Sequence, residues 1–233
     1  MSAPVGHVVL GQPVPSPVQV RWATAAMATW LAPLPTVQRL VADAGLDAMA
    51  TVAGRGMVTV GLIRYLENDL GDYHEVAVAL VVRDTLDGSK PSAFIRHLPV
   101  DQEFTCAAGR QIWGFPKIMA DIDIDRRPHA TTGTLLVDGH HVLSLRVGRG
   151  VVPLPRRTTE LGAHAHLDGV LRRTPFTLDA AGTRTRPGGA ALVLGHDHPI
   201  ADDLRTLAVD RRAALFTTRV AHLRATFGEA EKV

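Results

Sequence analysis

Lys117 lies in the segment AGRQIWGFPKIMAD (107–120) and is one of three lysines in a chain that carries 22 arginines. Where arginine is so strongly favoured, a retained lysine points to a use beyond positive charge. Arginine stays protonated at any pH a protein meets, so it offers no amine nucleophile. Lysine does, once desolvation or a neighbouring cation supplies the neutral amine. Trp113, Phe115, Ile118 and Met119 provide apolar walls for such a site. Gly114 and Pro116 impose a fixed, irregular backbone path on it. This is how an amine nucleophile would be held in a dry pocket. The other reading of Lys117 is a solvated ammonium whose stem lies along Trp113.

A second candidate is Glu75, at the head of the strand-like run YHEVAVALVVRD. Tyr73 and Glu75 are two residues apart, so they share one face of a strand, while His74 faces the other way. Tyr73 and Glu75 could both point into one pocket, and on its own a carboxylate there reads as an exposed residue at the start of a strand. The histidine pairs 140–141, 164/166 and 196/198 bring imidazoles together, but no third ligand stands at metal-site spacing. No metal is expected. Cys106 has no adjacent base and reads as a small buried thiol. Gly148, Gly150, Gly188 and Gly189 build turns rather than a phosphate loop, and no serine sits in a G-x-S-x-G context.

The elements that position these residues are mostly short strands. Met57–Tyr65 is β-rich in its first half, and YHEVAVALVVRD carries β-branched residues on both faces. DTLDGSKPS supplies a hairpin turn and SAFIRHLPV the returning strand. ADIDID alternates strictly, and TLLV and VLSLRV flank Asp138-Gly139 as a further hairpin. AALVLG (190–195) reads as a buried strand. Trp22–Trp30 fits a strand or the start of a helix. The stretch after Thr36 predicts a helix with Val37, Leu40 and Val41 on one face and a stop at Gly45. Asp202–Leu207 and Arg211–Leu223 predict late helical or mixed segments. With no βαβ alternation, the expected class is α+β, mostly antiparallel, with a sheet curled into a barrel and a few flanking helices. Residues 1–18 read as an extended arm and 19–233 as one domain.

At 233 residues and 46% hydrophobic content the chain can bury a sizeable core. Its single cysteine excludes an internal disulfide. No apolar run approaches the length of a membrane span and no signal peptide is read, so the expected location is cytoplasmic. Net charge is +2, and the arginines are scattered among acids rather than clustered along the sequence, so nucleic acid is not the expected partner.

The order Gly109-Arg110-Gln111-Ile112-Trp113-Gly114-Phe115-Pro116-Lys117 resembles the G-R-x-x-x-G-F-P-K signature of the acetoacetate decarboxylase family. Upstream, Gly71-Asp72-Tyr73-His74-Glu75 resembles that family's G-x-Y-x-E segment. Weaker similarities at 133–139 (GTLLVDG) and 198–204 (HPIADDL) extend the resemblance from about residue 36 to the C-terminus. It implies a cone-like antiparallel β-barrel with an interior pocket, a homo-oligomer, and a Schiff base between Lys117 and a keto acid, with no cofactor. Acetoacetate decarboxylase is the standard illustration of a lysine activated by its surroundings in this way. Glu75 carries over as the acid/base or substrate-orienting carboxylate, and Arg110 as a structural tether.

Four departures accompany the resemblance. The family's second lysine is replaced by Ile118, so the Lys117 amine is expected to be lowered by burial alone. Gln111 stands where the family often has glutamate, and without gaps a second family carboxylate falls on Val60. The substrate-carboxylate arginine has no single match, and Arg21 and Arg64 are both candidates. Relatives of this family use the same imine for aldol addition, dehydration or cyclisation of pyruvate-like substrates. Those reactions are the alternative to decarboxylation, and a non-catalytic ligand-binding barrel is a further one.

Overall fold

The computed structural model describes residues 5–51 and 53–233. Val5–Val9 (β1) and Gln12–Pro15 (β2) form a hairpin, followed by the long strand Val18–Ala32 (β3). Helix Leu34–Ala42 (α1) leads to Gly56–Asn68 (β4), Tyr73–Arg83 (β5) and Pro91–Val100 (β6). Helix Glu103–Ala108 (α2) runs into a single π-type turn, Gly109–Trp113, and then into Lys117–Met119 (β7). Asp121–Arg126 (β8), Ala130–Val137 (β9) and His140–Gly148 (β10) form a meander. After Val152–Pro153 (β11) come Arg157–Leu167 (β12), Val170–Ala181 (β13), Arg184–Pro187 (β14) and Ala190–Leu194 (β15). Helix Pro199–Thr206 (α3), Phe216–Phe227 (β16) and Glu231–Lys232 (β17) complete the chain.

Seven strands close on themselves in the order β3-β4-β5-β6-β12-β13-β16 and back to β3. Every pairing is antiparallel except β6–β12, where Ala93 and Phe94 pair in parallel with Ala163 and His164. A second sheet, β15-β10-β9-β8, lies outside. The two sheets define two cores. Val58, Val60, Leu62, Val76, Val78 and Leu80 face outward from the barrel onto Leu135, Leu143 and Leu145, with Ile200 and Leu204 of α3. Ile63, Tyr65, Tyr73, Leu98, Ala165 and Val220 face inward. Strands covered on both faces read as near-continuous apolar runs, which is why β4 and β5 show little alternation. Each fully buried aliphatic side chain in these layers contributes about 1.5–3 kcal/mol. A Cβ on Gly133 would lie 2.5 Å from Leu62 Cδ2, so glycine is what lets the outer sheet approach the barrel.

Some expectations change. Arg211–Leu223 is mostly strand, as part of β16, because it pairs with β3 on one side and with β13 and β14 on the other. That ladder outweighs the helical propensity of its Arg-Arg-Ala-Ala-Leu start. Trp22–Trp30 lies wholly in β3, and its helix-favouring alanines are the small residues a barrel wall requires. The described part of the expected arm is the β1–β2 hairpin, turned at Leu10–Gly11 with positive φ. Its Val9 and Val14 are fully buried in the inner core. Among the described residues no helix is long and apolar enough to cross a membrane.

Candidate active site

The inward face of β5 presents Tyr73 and Glu75 to the barrel interior. β4 runs antiparallel beside it and places Tyr65 directly opposite Tyr73. Their rings stack with centroids 4.2 Å apart. The Tyr65 hydroxyl donates to Glu75 Oε1 at 3.1 Å, the diagonal contact expected between adjacent strands. The other carboxylate oxygen, Oε2, is 3.2 Å from Lys117 Nζ. That amine also donates to Thr105 Oγ1 at 3.0 Å and stands 4.8 Å above the Tyr73 ring. Lys117 is only 3% exposed and Glu75 6%, so the pair is removed from bulk water.

Local geometry explains how a lysine reaches this position. The Gln102 side chain caps α2 by accepting from the Thr105 N–H at 2.7 Å, which fixes the Thr105 hydroxyl. The π-type turn ends at Gly114 with φ +67°, and Arg110 Nη1 donates to the Lys117 carbonyl at 3.1 Å. Arg110 is therefore a tether on the backbone of the lysine. The Lys117 stem passes directly over Gly109, where a Cβ would lie 2.5 Å from Cδ and 2.7 Å from Cε. Gly109→Ala should therefore push the amine off Glu75 and Thr105. A misplacement of that kind lowers turnover about 100-fold. Overpacking costs about 1–3 kcal/mol of stability, so urea unfolding read beside turnover distinguishes a displaced amine from an unfolded chain.

Burial drives the Lys117 amine down, but the facing Tyr73 and Glu75 side chains drive it up, and the net direction is above its ordinary value of 10.5. Tyr73 and Tyr65 are themselves raised, chiefly by burial. The amine is thus pushed upward, contrary to the expectation of one lowered by burial alone. A folded-state value above the unfolded one gives stability that is present in full below pH 10.5 and lost as pH rises through the folded value. Urea midpoints of the wild type should fall more steeply over that alkaline range than those of Lys117→Met. Equal slopes would show that the pair adds nothing.

Other expected site residues lie elsewhere. Ile118 packs against the outer core, because consecutive strand residues face opposite sides, so it neither lines the site nor dries the amine. Arg21 is exposed on β3 and pairs with Asp69, and Arg64 is exposed on the outer face of β4. Neither arginine reaches the interior. Val60 also belongs to the outer core, and the inward residues of β4 here are Gly61, Ile63 and Tyr65, with no carboxylate. Trp113 and Phe115 stack at 5.6 Å and back the turn, with Trp113 Nε1 donating to the Gly228 carbonyl. His164 is buried between Ser92 and Thr85 at 2.9 Å each, and His198 caps α3. No metal-binding group of three side chains occurs among the described residues. Tyr65 and Thr105 are the site residues that sequence reasoning missed. The signal for Tyr65 was rarity, since the chain has two tyrosines and both are here.

The Acetoacetate decarboxylase (ADC) family profile matches residues 2–231. Among solved structures, acetoacetate decarboxylase from Legionella pneumophila is 17% identical, with 100% of this chain and 98% of that one covered and a TM-score of 0.69. The enduracididine biosynthesis enzyme MppR complexed with pyruvate is 15% identical over 99% and 98%, with a TM-score of 0.68. An acetoacetate decarboxylase-like enzyme from Sphingomonas wittichii RW1 is 15% identical over 100% of both chains, with a TM-score of 0.60. These likenesses establish a shared fold. No curated protein matches this sequence. The profile spans nearly the whole chain, and the motif lysine is buried against a carboxylate inside the barrel; this chain belongs to the acetoacetate decarboxylase family.

Proposed function

We propose that this protein is an imine-forming carboxy-lyase that decarboxylates a small or medium β-keto acid. The observation that carries the reading is the buried Lys117–Glu75 pair at 3.2 Å. An ion pair in a dry site is costly to keep charged, so passing the proton from Nζ to Oε2 yields a neutral amine without bulk water. The amine attacks the ketone carbon, and protonated Glu75 returns its proton to the departing hydroxyl, which leaves as water. The resulting protonated imine accepts the electron pair of the bond to the carboxylate, releasing CO2 and leaving an enamine. Glu75, a carboxylate once it has given up its proton, takes a proton from water and passes it to the enamine carbon, and the hydroxide left behind hydrolyses the imine to free the ketone. Tyr65 orients Glu75 through its hydrogen bond, and Thr105 orients the amine. Homo-oligomeric assembly belongs to the same reading, supported by apolar Val193, 61% exposed on the outer strand β15.

A second reading has its own support. β4 offers no inward carboxylate beside Glu75, and a solved relative is a biosynthetic enzyme complexed with pyruvate. Imine-dependent aldol addition, dehydration or cyclisation of a 2-oxo acid would use the same lysine. Borohydride reduction tests both readings. The protein is incubated separately with acetoacetate, a longer β-keto acid and pyruvate, then reduced and analysed by peptide mass. An adduct on Lys117 is expected, its mass lower by CO2 for a β-keto acid. A pyruvate adduct alone, with no gas released, moves the assignment to the second reading. No adduct from any of the three would leave a ligand-binding barrel.

A further inference from the structure

Outside the lysine site, the fold gathers arginines that are scattered in the sequence. Arg126, Arg146, Arg149, Arg184, Arg186 and Arg219 line two adjoining hollows of about 720 and 400 Å³, which share Arg149, Gly150 and Arg184 as a common wall. No Asp or Glu lines either hollow. Among the described residues the ion-paired arginines are others, such as Arg127, Arg156 and Arg173, and none of these six. His129 adds a potential cation to the larger hollow. None of Lys117, Glu75, Tyr65, Tyr73 or Thr105 lines this recess.

Arg219 marks the floor. It is 8% exposed, and its two terminal nitrogens donate to the carbonyls of Pro128 and Arg127 at 3.2 and 2.9 Å. Its Nε is buried without a partner. An unpaired buried donor on a guanidinium is costly, and it acquires value when an acceptor reaches it. Burial first, then Arg126 and Arg149, hold this guanidinium below its usual proton affinity, a sign of like charges crowded together. An anion of more than one charge relieves that crowding. The planar fork of arginine matches phosphate oxygens two at a time. At the edge, Val151 is 66% exposed and gives an apolar surface beside the charges.

We propose that this recess binds an organic ligand carrying two or more linked phosphate groups, with phosphate oxygens on the arginine forks and the organic part against Val151. A free nucleotide and a nucleotide-type acyl carrier present the same chemistry. Titration calorimetry of the full chain at about 150 mM salt, where exposed charges are largely screened, separates them. ATP and coenzyme A serve as probes, with citrate as a polyanion lacking phosphate. Arg146→Gln combined with Arg186→Gln changes two exposed side chains of the wall, and Arg211→Gln changes an exposed arginine elsewhere.

One saturable site for ATP or coenzyme A is expected. Binding should weaken about tenfold or more in the double variant, the loss of at least one charge-assisted contact. It should be unchanged in Arg211→Gln and in Lys117→Met, which makes it independent of the imine reading. The tighter of the two probes identifies the source of the phosphates. Absence of saturable phosphate binding, tighter binding of citrate, or equal affinity in the double variant overturns the proposal. So does a wild type that binds neither probe while the double variant changes sedimentation mass, because the recess then belongs to a contact between copies.

Discussion

Lys117→Met should abolish turnover, by about 10⁴-fold or more, and leave no borohydride-trapped adduct with any keto acid. Methionine keeps the apolar stem that crosses Gly109 but removes the nitrogen that Thr105 and Glu75 hold. Glu75 then lacks its cation and keeps only the Tyr65 hydrogen bond, so the variant should be less stable while remaining folded. Lys117→Arg supplies the necessary contrast. A guanidinium can pair with Glu75 but cannot give a neutral amine, so it should restore part of the stability and none of the adduct. Turnover in the methionine variant within tenfold of wild type would remove the imine from the mechanism. Recovery of turnover in the arginine variant would mean that the lysine acts through charge alone.

Glu75→Gln separates forming the imine from processing it. Glutamine preserves shape and can still accept from the Tyr65 hydroxyl, yet it carries no charge to hold the ammonium. Losing one partner of a buried pair costs about 3–5 kcal/mol if the remaining charge stays, and deprotonation relieves that cost. The Lys117 amine should therefore lose part of its upward displacement, since Tyr73 and Glu75 together raise it. Adduct formation at neutral pH should persist or quicken. Turnover should nevertheless fall by about 10²–10⁴-fold, the usual worth of a positioned acid/base group. A pH profile of trapping in wild type and variant reads the first effect, and steady-state product release reads the second. Equal losses in trapping and turnover would show that Glu75 only supports the site.

The strand alternation of residues 73–83 was legible, and it correctly put Tyr73 and Glu75 on one face. The rarity of lysine singled out Lys117 for an equally physical reason. What sequence could not supply was the other side of each contact. Thr105 meets the amine only because α2 and the π-type turn fold back over Gly109, and neither has a strong periodic signal of its own. Ile118 was assigned to the pocket by its place next to Lys117 and Arg64 by the family resemblance, and each is turned away by the two-residue alternation of its strand. The β12–β13 hairpin escaped notice because its mixed burial yields no clean pattern, although Asp168-Gly169 marks its turn with positive φ.

The first strand of the barrel, β3, is closed by the last, β16, with Thr29 set beside Phe216 and Val18 beside Phe227. Glu75 and Lys117 lie no later than the midpoint of the chain, but the wall around their interior includes a segment near the end. Closing so long a loop carries a high entropic cost and tends to come late in folding. Until β16 is in place the barrel is open, so Lys117 and Glu75 stand in a wetter setting than in the closed fold.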